Sequence, residues 1–310
     1  MSMKKMISLG LSLVLTMSLL TGCGGNGEST AENNGTVTEG ESTGDKQTAF
    51  EGAISVISRE DGSGTRGAFV ELFGVEEKDA DGNKVDNTTL EAIITNSTSV
   101  MMTSVAGDEK AIGYISLGSL NDSVKALPID GVEASAENIK NGSYAISRPF
   151  NIAVKDNLSE VANDFISFIM SAEGQTIIEE NGYIPVAEDA AAYAGTAPSG
   201  KVVLAGSSSV TPVMEKLKEA YLSVNANAEI EIQENDSSTG MTSAIDGLCD
   251  IGMASRALKD SETEAGLTSM AIAMDGIAVI VNLSNPVNGL TAEQVKSIYV
   301  GETLNWEEVQ

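Results

Sequence analysis

The sequence predicts an α/β protein built as two lobes, each a mainly parallel sheet flanked by helices. Three observations carry this prediction. Short β-branched runs alternate with segments of three- and four-residue apolar spacing, the pattern of strands alternating with helices. The alternation pauses at the Ala-, Gly- and Pro-rich stretch "AEDAAAYAGTAPSG" (187–200) and then starts again. Each half also holds several strand-to-helix junctions, more than a single doubly wound sheet requires.

The first 22 residues stand apart from the fold. Lys4 and Lys5 precede an apolar run over 6–20 that is too short for an ordinary membrane span. "LTGC" (20–23) then resembles the lipobox of bacterial lipoproteins, which implies a signal peptide over 1–22 and a lipid chain on Cys23. Residues 23–51, rich in Gly, Ser, Thr, Asn and Glu, cannot form a core and are expected to be a flexible tether.

Structure is expected from Gly52 onward. "AISVISR" (53–59) is a strand, and "TRGAFVELFGV" (65–75) begins a helix. Residues 77–90 form an excursion, 91–107 resume helical spacing, and "AIGYISL" (111–117) is a short buried strand. "RPFNIAV" (148–154) is another strand. Val161, Phe165, Phe168, Ile169, Ile177 and Ile178 then mark one or two amphipathic helices. After the soft segment come "KVVLAG" (201–206), "AEIEIQEN" (228–235) and "IGMAS" (251–255) as strands, with helices at 207–224 and 237–250 between them. Residues 269–283 supply one or two strands. "TAEQVKSIYVG" (291–301) opens with Thr291 and Gln294 in capping-box spacing.

Composition removes several classes of function. The chain has 310 residues, 42% hydrophobic, enough for a substantial core. Its 45 acidic and 18 basic residues give a net charge of -27, which repels nucleic acid and anionic lipid. Aromatics make up only 4%, so a basic groove with stacking rings is absent and no nucleic-acid partner is expected. With no histidine, Ser-His-Asp and Cys-His catalysis and histidine-ligated zinc are excluded; neither metal nor cofactor is expected. Cys249, beside an apolar run, is expected to be a small core residue, and lipidation of Cys23 would leave it no disulfide partner.

Three strand-to-helix junctions carry hydroxyls where helix N–H groups are unpaired. "AGSSSVTP" offers Ser207, Ser208 and Ser209; "NDSSTGM" offers Ser237, Ser238 and Thr239; "REDGSGT" offers Ser63, Gly64 and Thr65, with Arg59 at the strand end. Any one alone is an ordinary capped helix or turn. Together, with a guanidinium as charged donor, they point to a site for a small oxyanion. No lysine follows "GSGT", so a P-loop is excluded.

At these residues the sequence resembles the periplasmic-type phosphate-binding proteins of bacterial ABC importers. "SREDGSGTRGAF", "AIGYISLG", "GQTIIEENGYIPV", "AGSSSVTPVMEKL", "DIGMASRALK" and "IYVGETLNW" carry the likeness, which spans nearly all of 52–310. The resemblance implies a two-lobed periplasmic-binding-protein-like fold of type II. It also implies phosphate contacts from Ser208, Ser209, Ser237, Arg59, Ser63, Gly64 and Thr65, with Asp61 orienting Arg59. The partners implied are inorganic phosphate and an ABC permease. The protein would be a monomer outside the cytoplasm, held to the cell membrane by its lipid alone.

Two departures accompany the resemblance. The segments stand in circularly permuted order, since "IYVGETLNW" ends the chain while "SREDGSGT" opens it. This assigns 52–143 with 275–310 to one lobe, 144–190 with 199–274 to the other, and 186–200 to a permutation linker. Second, Arg256 stands where the family commonly has a carboxylate that accepts the proton of phosphate, so specificity is opened to sulfate or molybdate. A surface adhesion or signalling module on the same fold is the reading from another class. An enzyme would need Lys201 or Lys216 as the base for Ser63 or Ser208.

Overall fold

The computed structural model describes residues 50–187 and 189–309; the expected signal peptide, Cys23 and all but the last two tether residues lie outside them. β1 (Ser55–Arg59) is the β-branched run and is buried from Val56 on. After a turn, α1 (Gly64–Leu72) starts behind Ser63, whose hydroxyl accepts from the Arg66 N–H. The excursion is a hairpin in which β2 (Glu76–Lys78) pairs antiparallel with β3 (Lys84–Asp86).

Residues 91–107, expected to be helical, instead divide in two. β4 (Ile93–Thr95) pairs parallel with β1, and α2 (Thr98–Ala106) follows the Ser97 cap. The β-branched Ile93, Ile94 and Thr95 favour extended backbone, and the free side of β1 offers them a ladder. β5 (Ala111–Ser116) is buried at every residue; β6 (Lys125–Ala126) and α3 (Ala136–Lys140) are short elements the pattern did not announce.

β7 (Ser147–Val154) leads into two helices, α4 (Glu160–Ile169) and α5 (Ala172–Glu180), separated where the Ser171 hydroxyl caps the second. β8 (Ile184–Pro185) closes this half. Then come β9 (Gly200–Ser207), α6 (Thr211–Val224), β10 (Ala228–Asn235), α7 (Ser237–Ile245), β11 (Ile251–Ala254) and α8 (Asp260–Glu264). The apolar run near 269–283 is one strand, β12 (Thr268–Val281), and α9 (Ala292–Tyr299) carries the Thr291–Gln294 capping box.

The strands form the order β10-β9-β11-β7-β12-β5-β1-β4, with β6 and β8 also on β12. Pairs at the outer positions are parallel, as expected; every pair made by β7 or β12 is antiparallel, so the sheet is mixed. β12 serves both halves. Its residues up to Gly276 pair with β7, and from Ile277 onward they pair with β5.

Two large cores lie to either side of that change. One gathers Phe150, Phe165, Leu204, Leu217, Tyr221 and Ile251; the other gathers Phe69, Tyr114, Ile277, Val295, Tyr299 and Trp306. Cys249 is buried in a smaller apolar cluster and is free, as its surroundings in the sequence suggested.

The soft segment is held down at several points. The Gln175 carboxamide oxygen accepts from the N–H groups of Val186 and Ala187, and Ala172 N–H donates to Ala191. Tyr193 donates to Asp164 at 2.5 Å and stands edge-on against Phe168. The ends of the described chain also meet. Ala53 bridges Asn305 antiparallel, with Ile54 N–H donating to Leu304 O and Trp306 N–H to Gly52 O. Phe50 packs against the Trp306 ring at 6.0 Å between centroids.

The Ala53–Asn305 pair is flanked by those hydrogen bonds and makes none between its own residues, the geometry with Cα atoms about 4.5 Å apart. That spacing suits a disulfide. The double variant Ala53→Cys/Asn305→Cys should form an intramolecular 53–305 disulfide on mild oxidation, read by non-reducing peptide mapping. Links found only between molecules would contradict the pairing.

Candidate functional site

Four helix N-termini converge where the two halves meet. α1 brings Ser63, Gly64 and Thr65; α2 brings Thr98; the loop before α6 brings Ser208 and Ser209; α7 brings Ser237. Their hydroxyls interlock. Thr65 Oγ1 lies 2.8 Å from Ser209 Oγ, while Thr98 Oγ1 is 3.3 Å from Ser209 Oγ and 3.4 Å from Ser208 Oγ. Ser255, just past β11, joins Ser207 at 3.0 Å and donates its N–H to Ser237 Oγ at 3.1 Å. All these side chains are buried.

Each N-terminus carries unpaired N–H groups and a partial positive charge, so the cluster is a converging set of donors. Close approach is part of the design. A Cβ on Gly64 would sit 2.5 Å from Ser237 Oγ and 2.7 Å from Ser255 Oγ, and the Gly62 carbonyl accepts from Ser238 N–H across the gap.

Arg59, at the end of β1, is only 2% exposed. Its Nη2 donates to Ser208 Oγ at 3.1 Å, tying one half to the other. Glu60 holds the same guanidinium as a fork, 2.7 Å from both Nε and Nη2. The expectation for Asp61 is therefore corrected. Its side chain is 96% exposed and pairs with Arg66 Nη1 at 2.7 Å. The turn turns Asp61 outward, where Arg66 on the first turn of α1 reaches back to it.

Arg256 is directed away from the hydroxyl cluster. Its two Nη atoms bond both oxygens of Glu262 at 2.8 and 2.7 Å, and Nη2 also donates to Ser238. Burial opposes ionisation of Glu262, but the Arg256 bonds and the Lys259 N–H hold its carboxyl below the usual range. Arg256 lines an outer groove of 450 Å³ with Asp61, Ser63, Arg66 and Lys259. Lys201 and Lys216 form surface ion pairs with Glu229, Glu231 and Glu219.

Behind Thr65 lies a second buried guanidinium. Arg148 Nη2 donates to Thr65 Oγ1 at 3.2 Å and lies 3.1 Å from Asp275 Oδ2, directly across the β7–β12 pair. Burial pushes the Asp275 carboxyl up to about 6 against the pull of Arg148, and pushes Arg148 down to about 10.

Thus the seven expected binding residues fall in one place, together with Thr98, Ser255 and Arg148, which the sequence reading did not single out. Thr98 had the same signal as the others, a hydroxyl at a helix start after a β-branched run, beside the Ser97 cap, masked by the helical spacing of 91–107. Ser255 lies beside Arg256 in the quoted "MASR". Nothing local marks Arg148; only the pairing of two distant strands brings it in.

The arrangement is that of a two-lobed α/β fold of the periplasmic-binding-protein type, with the candidate site between its halves. A family described as "PBP superfamily domain" matches residues 35–173 and 191–310. "Phosphate-binding protein PstS 2" of Streptococcus agalactiae serotype V is 57% identical over 266 residues, 86% of this chain and 90% of that one. The protein of the same name from Streptococcus pneumoniae serotype 4 is 46% identical over 270 residues, covering 87% and 92%. The crystal structure of a phosphate-binding protein of a phosphate ABC transporter from Streptococcus pneumoniae TIGR4 is also similar. It has 46% identity, covers 84% of this chain and all of that one, and superposes with a TM-score of 0.66. The chain belongs to the PBP superfamily and, within it, to the family of the phosphate-binding proteins PstS.

The position of α7 gives a test of the geometry. Gly240 packs against the β9 backbone, where an added Cβ would lie 2.5 Å from Gly206 Cα and 2.6 Å from Ala205 O. Helix propensity alone favours alanine there by about 1 kcal/mol. The overpacking wins, so Gly240→Ala should lower stability by about 1–3 kcal/mol in urea unfolding. A stabilised variant would mean that α7 does not sit this close.

Proposed function

We propose that this chain is an extracytoplasmic solute-binding lipoprotein that captures inorganic phosphate for an ABC importer. The observation that carries the reading is the convergence of buried hydroxyls, helix N-termini and the Arg59 guanidinium from both halves. A small tetrahedral oxyanion accepts from every direction, and such a cluster donates from several. The contacts assigned to it are Arg59, Ser208, Ser209, Ser237, Ser63, Thr65 and the Gly64 N–H, with Thr98 and Ser255 added from the geometry. The names of the similar streptococcal proteins support phosphate as the anion.

The lobes assigned are 52–143 with 275–310 and 144–190 with 199–274, the segments standing in permuted order with 186–200 as the joint. Support comes from the meeting of Gly52 with Trp306. The monomer closes about the β7 and β12 crossings to surround the anion and presents it to a permease, while the lipid on Cys23 keeps it at the membrane.

Titration calorimetry with phosphate, sulfate and molybdate tests the reading. Phosphate should bind with a single site per chain. A protein that binds none of the three, or molybdate in preference, would overturn it. Arg59→Ala leaves buried anion oxygens unpaired and should cost about 2–5 kcal/mol of phosphate affinity. Near-wild-type binding in that variant would remove Arg59 from the site.

Arg256 faces Glu262, so it neither donates to the anion nor tests its proton. Hydroxyls of the cluster can accept as well as donate and take over that part, less strictly than a carboxylate. Arg256→Asp should therefore leave the phosphate-to-sulfate preference unchanged in competition titrations. A rise in that preference would show that position 256 reaches the anion.

A further inference from the structure

We propose that Arg148 is a positioning residue of the oxyanion site: from its place on the strands that join the two halves it fixes the Thr65 hydroxyl as a donor. The inference rests on the phosphate-binding reading above and extends it to residues no contact with the anion had been assigned to.

The first step is hydrogen-bond polarity. A hydroxyl has one proton and can either donate or accept towards a ligand; an oxyanion accepts only. A guanidinium has no acceptor, so the 3.2 Å contact from Arg148 Nη2 obliges Thr65 Oγ1 to accept from behind. That leaves the Thr65 proton for the cluster side, where Ser209 Oγ lies 2.8 Å away and either hydroxyl of the pair can donate. Arg59 does the same to Ser208. In the closed arrangement both hydroxyls thus have an acceptor position taken from behind and a proton left for the cluster side.

The second step is charge. Arg148 and Asp275 are 3% and 0% exposed, yet their pairing is incomplete. Arg148 Nε and Nη1 have no hydrogen-bond partner, and Asp275 Oδ2 makes no well-aligned bond despite its 3.1 Å distance from Nη2. A pair kept only for packing would be costly in that state. Here the unspent part of the guanidinium charge lies directly against Thr65, whose hydroxyl is 3.2 Å from Nη2. The Arg148 plane also rests over the Phe150 ring at 5.5 Å, which holds its direction.

The third step is location. Arg148 and Asp275 face each other across β7 and β12, two residues before β12 takes β5 as its partner at Ile277. Asp275 Oδ1 accepts from Gly118 N–H at 3.3 Å, and the Tyr183 ring lies so close to Gly118 that a Cβ there would meet it at 2.2 Å. Groups from both halves thus pack around the pair. Rotation of one half against the other about these strands would separate Arg148 from Thr65, so the donor is set only in the closed arrangement.

Titration of the full chain with inorganic phosphate separates this role from packing. The double variant Arg148→Met/Asp275→Asn removes both charges at similar volume; it should fold with a Tm close to wild type and bind phosphate at least about ten-fold more weakly. Asp275→Asn alone removes only the opposing negative charge and should bind phosphate as tightly as wild type or more tightly. Arg148→Lys, which keeps a donor and a charge, should recover part of the loss. Wild-type affinity in the double variant overturns the proposal, as does equal weakening in Asp275→Asn. Wild-type protein that binds no phosphate overturns the functional reading and this inference with it.

Discussion

Burying a guanidinium is costly unless its charge is met, and the partners of Arg59 come from both halves of the molecule. Glu60 on its own strand takes one edge, and Ser208 takes Nη2 from across the gap. That requirement fixes how closely the loop before α6 must approach the end of β1, and the other hydroxyls follow from it. Four helix N-termini, each with about half a positive charge, then face one another among buried side chains. Like-signed ends repel at such range. Glu60 and Asp275 offset part of this.

The surroundings make the local character of this attraction plain. The chain carries a net charge of -27, so an approaching anion meets repulsion at any distance the solvent does not screen. At physiological ionic strength the screening length is about 8 Å, shorter than the molecule is wide. Under the proposed function, selection rests on contacts inside the cluster. The acidic surface serves solubility and leaves the site to donors fixed by the fold.

Much of this was legible in the residues. Hydroxyl-rich junctions at 63–65, 207–209 and 237–239 mark helix starts because short side-chain oxygens are what orphan N–H groups need, a rule that acts within a few residues. Strand β5 and the α9 capping box were legible for the same local reason. Local rules failed where the competing partner was distant. Ile93–Thr95 could take a strand only because β1 leaves a side free. Asp61 lost Arg59 to Glu60 because a tight turn, not sequence spacing, decides which carboxylate faces inward. Arg148 acquires its place from a strand pairing across more than a hundred residues, which no window on the sequence can see.

The strap over 187–200 has a mechanical consequence. It leaves β8 and enters β9 along the surface of one half, pinned by Gln175 and Tyr193 and contributing little to either large core. A single cut there would yield two fragments, neither of which contains a complete half. The first fragment keeps β1, β5 and β7; the second keeps β9, β11 and β12, and the pairs β7–β12, β7–β11 and β5–β12 all run between them. Such a nicked molecule is held by sheet ladders and shared cores rather than by its covalent chain. The same division supplies a natural pair of pieces for fragment complementation.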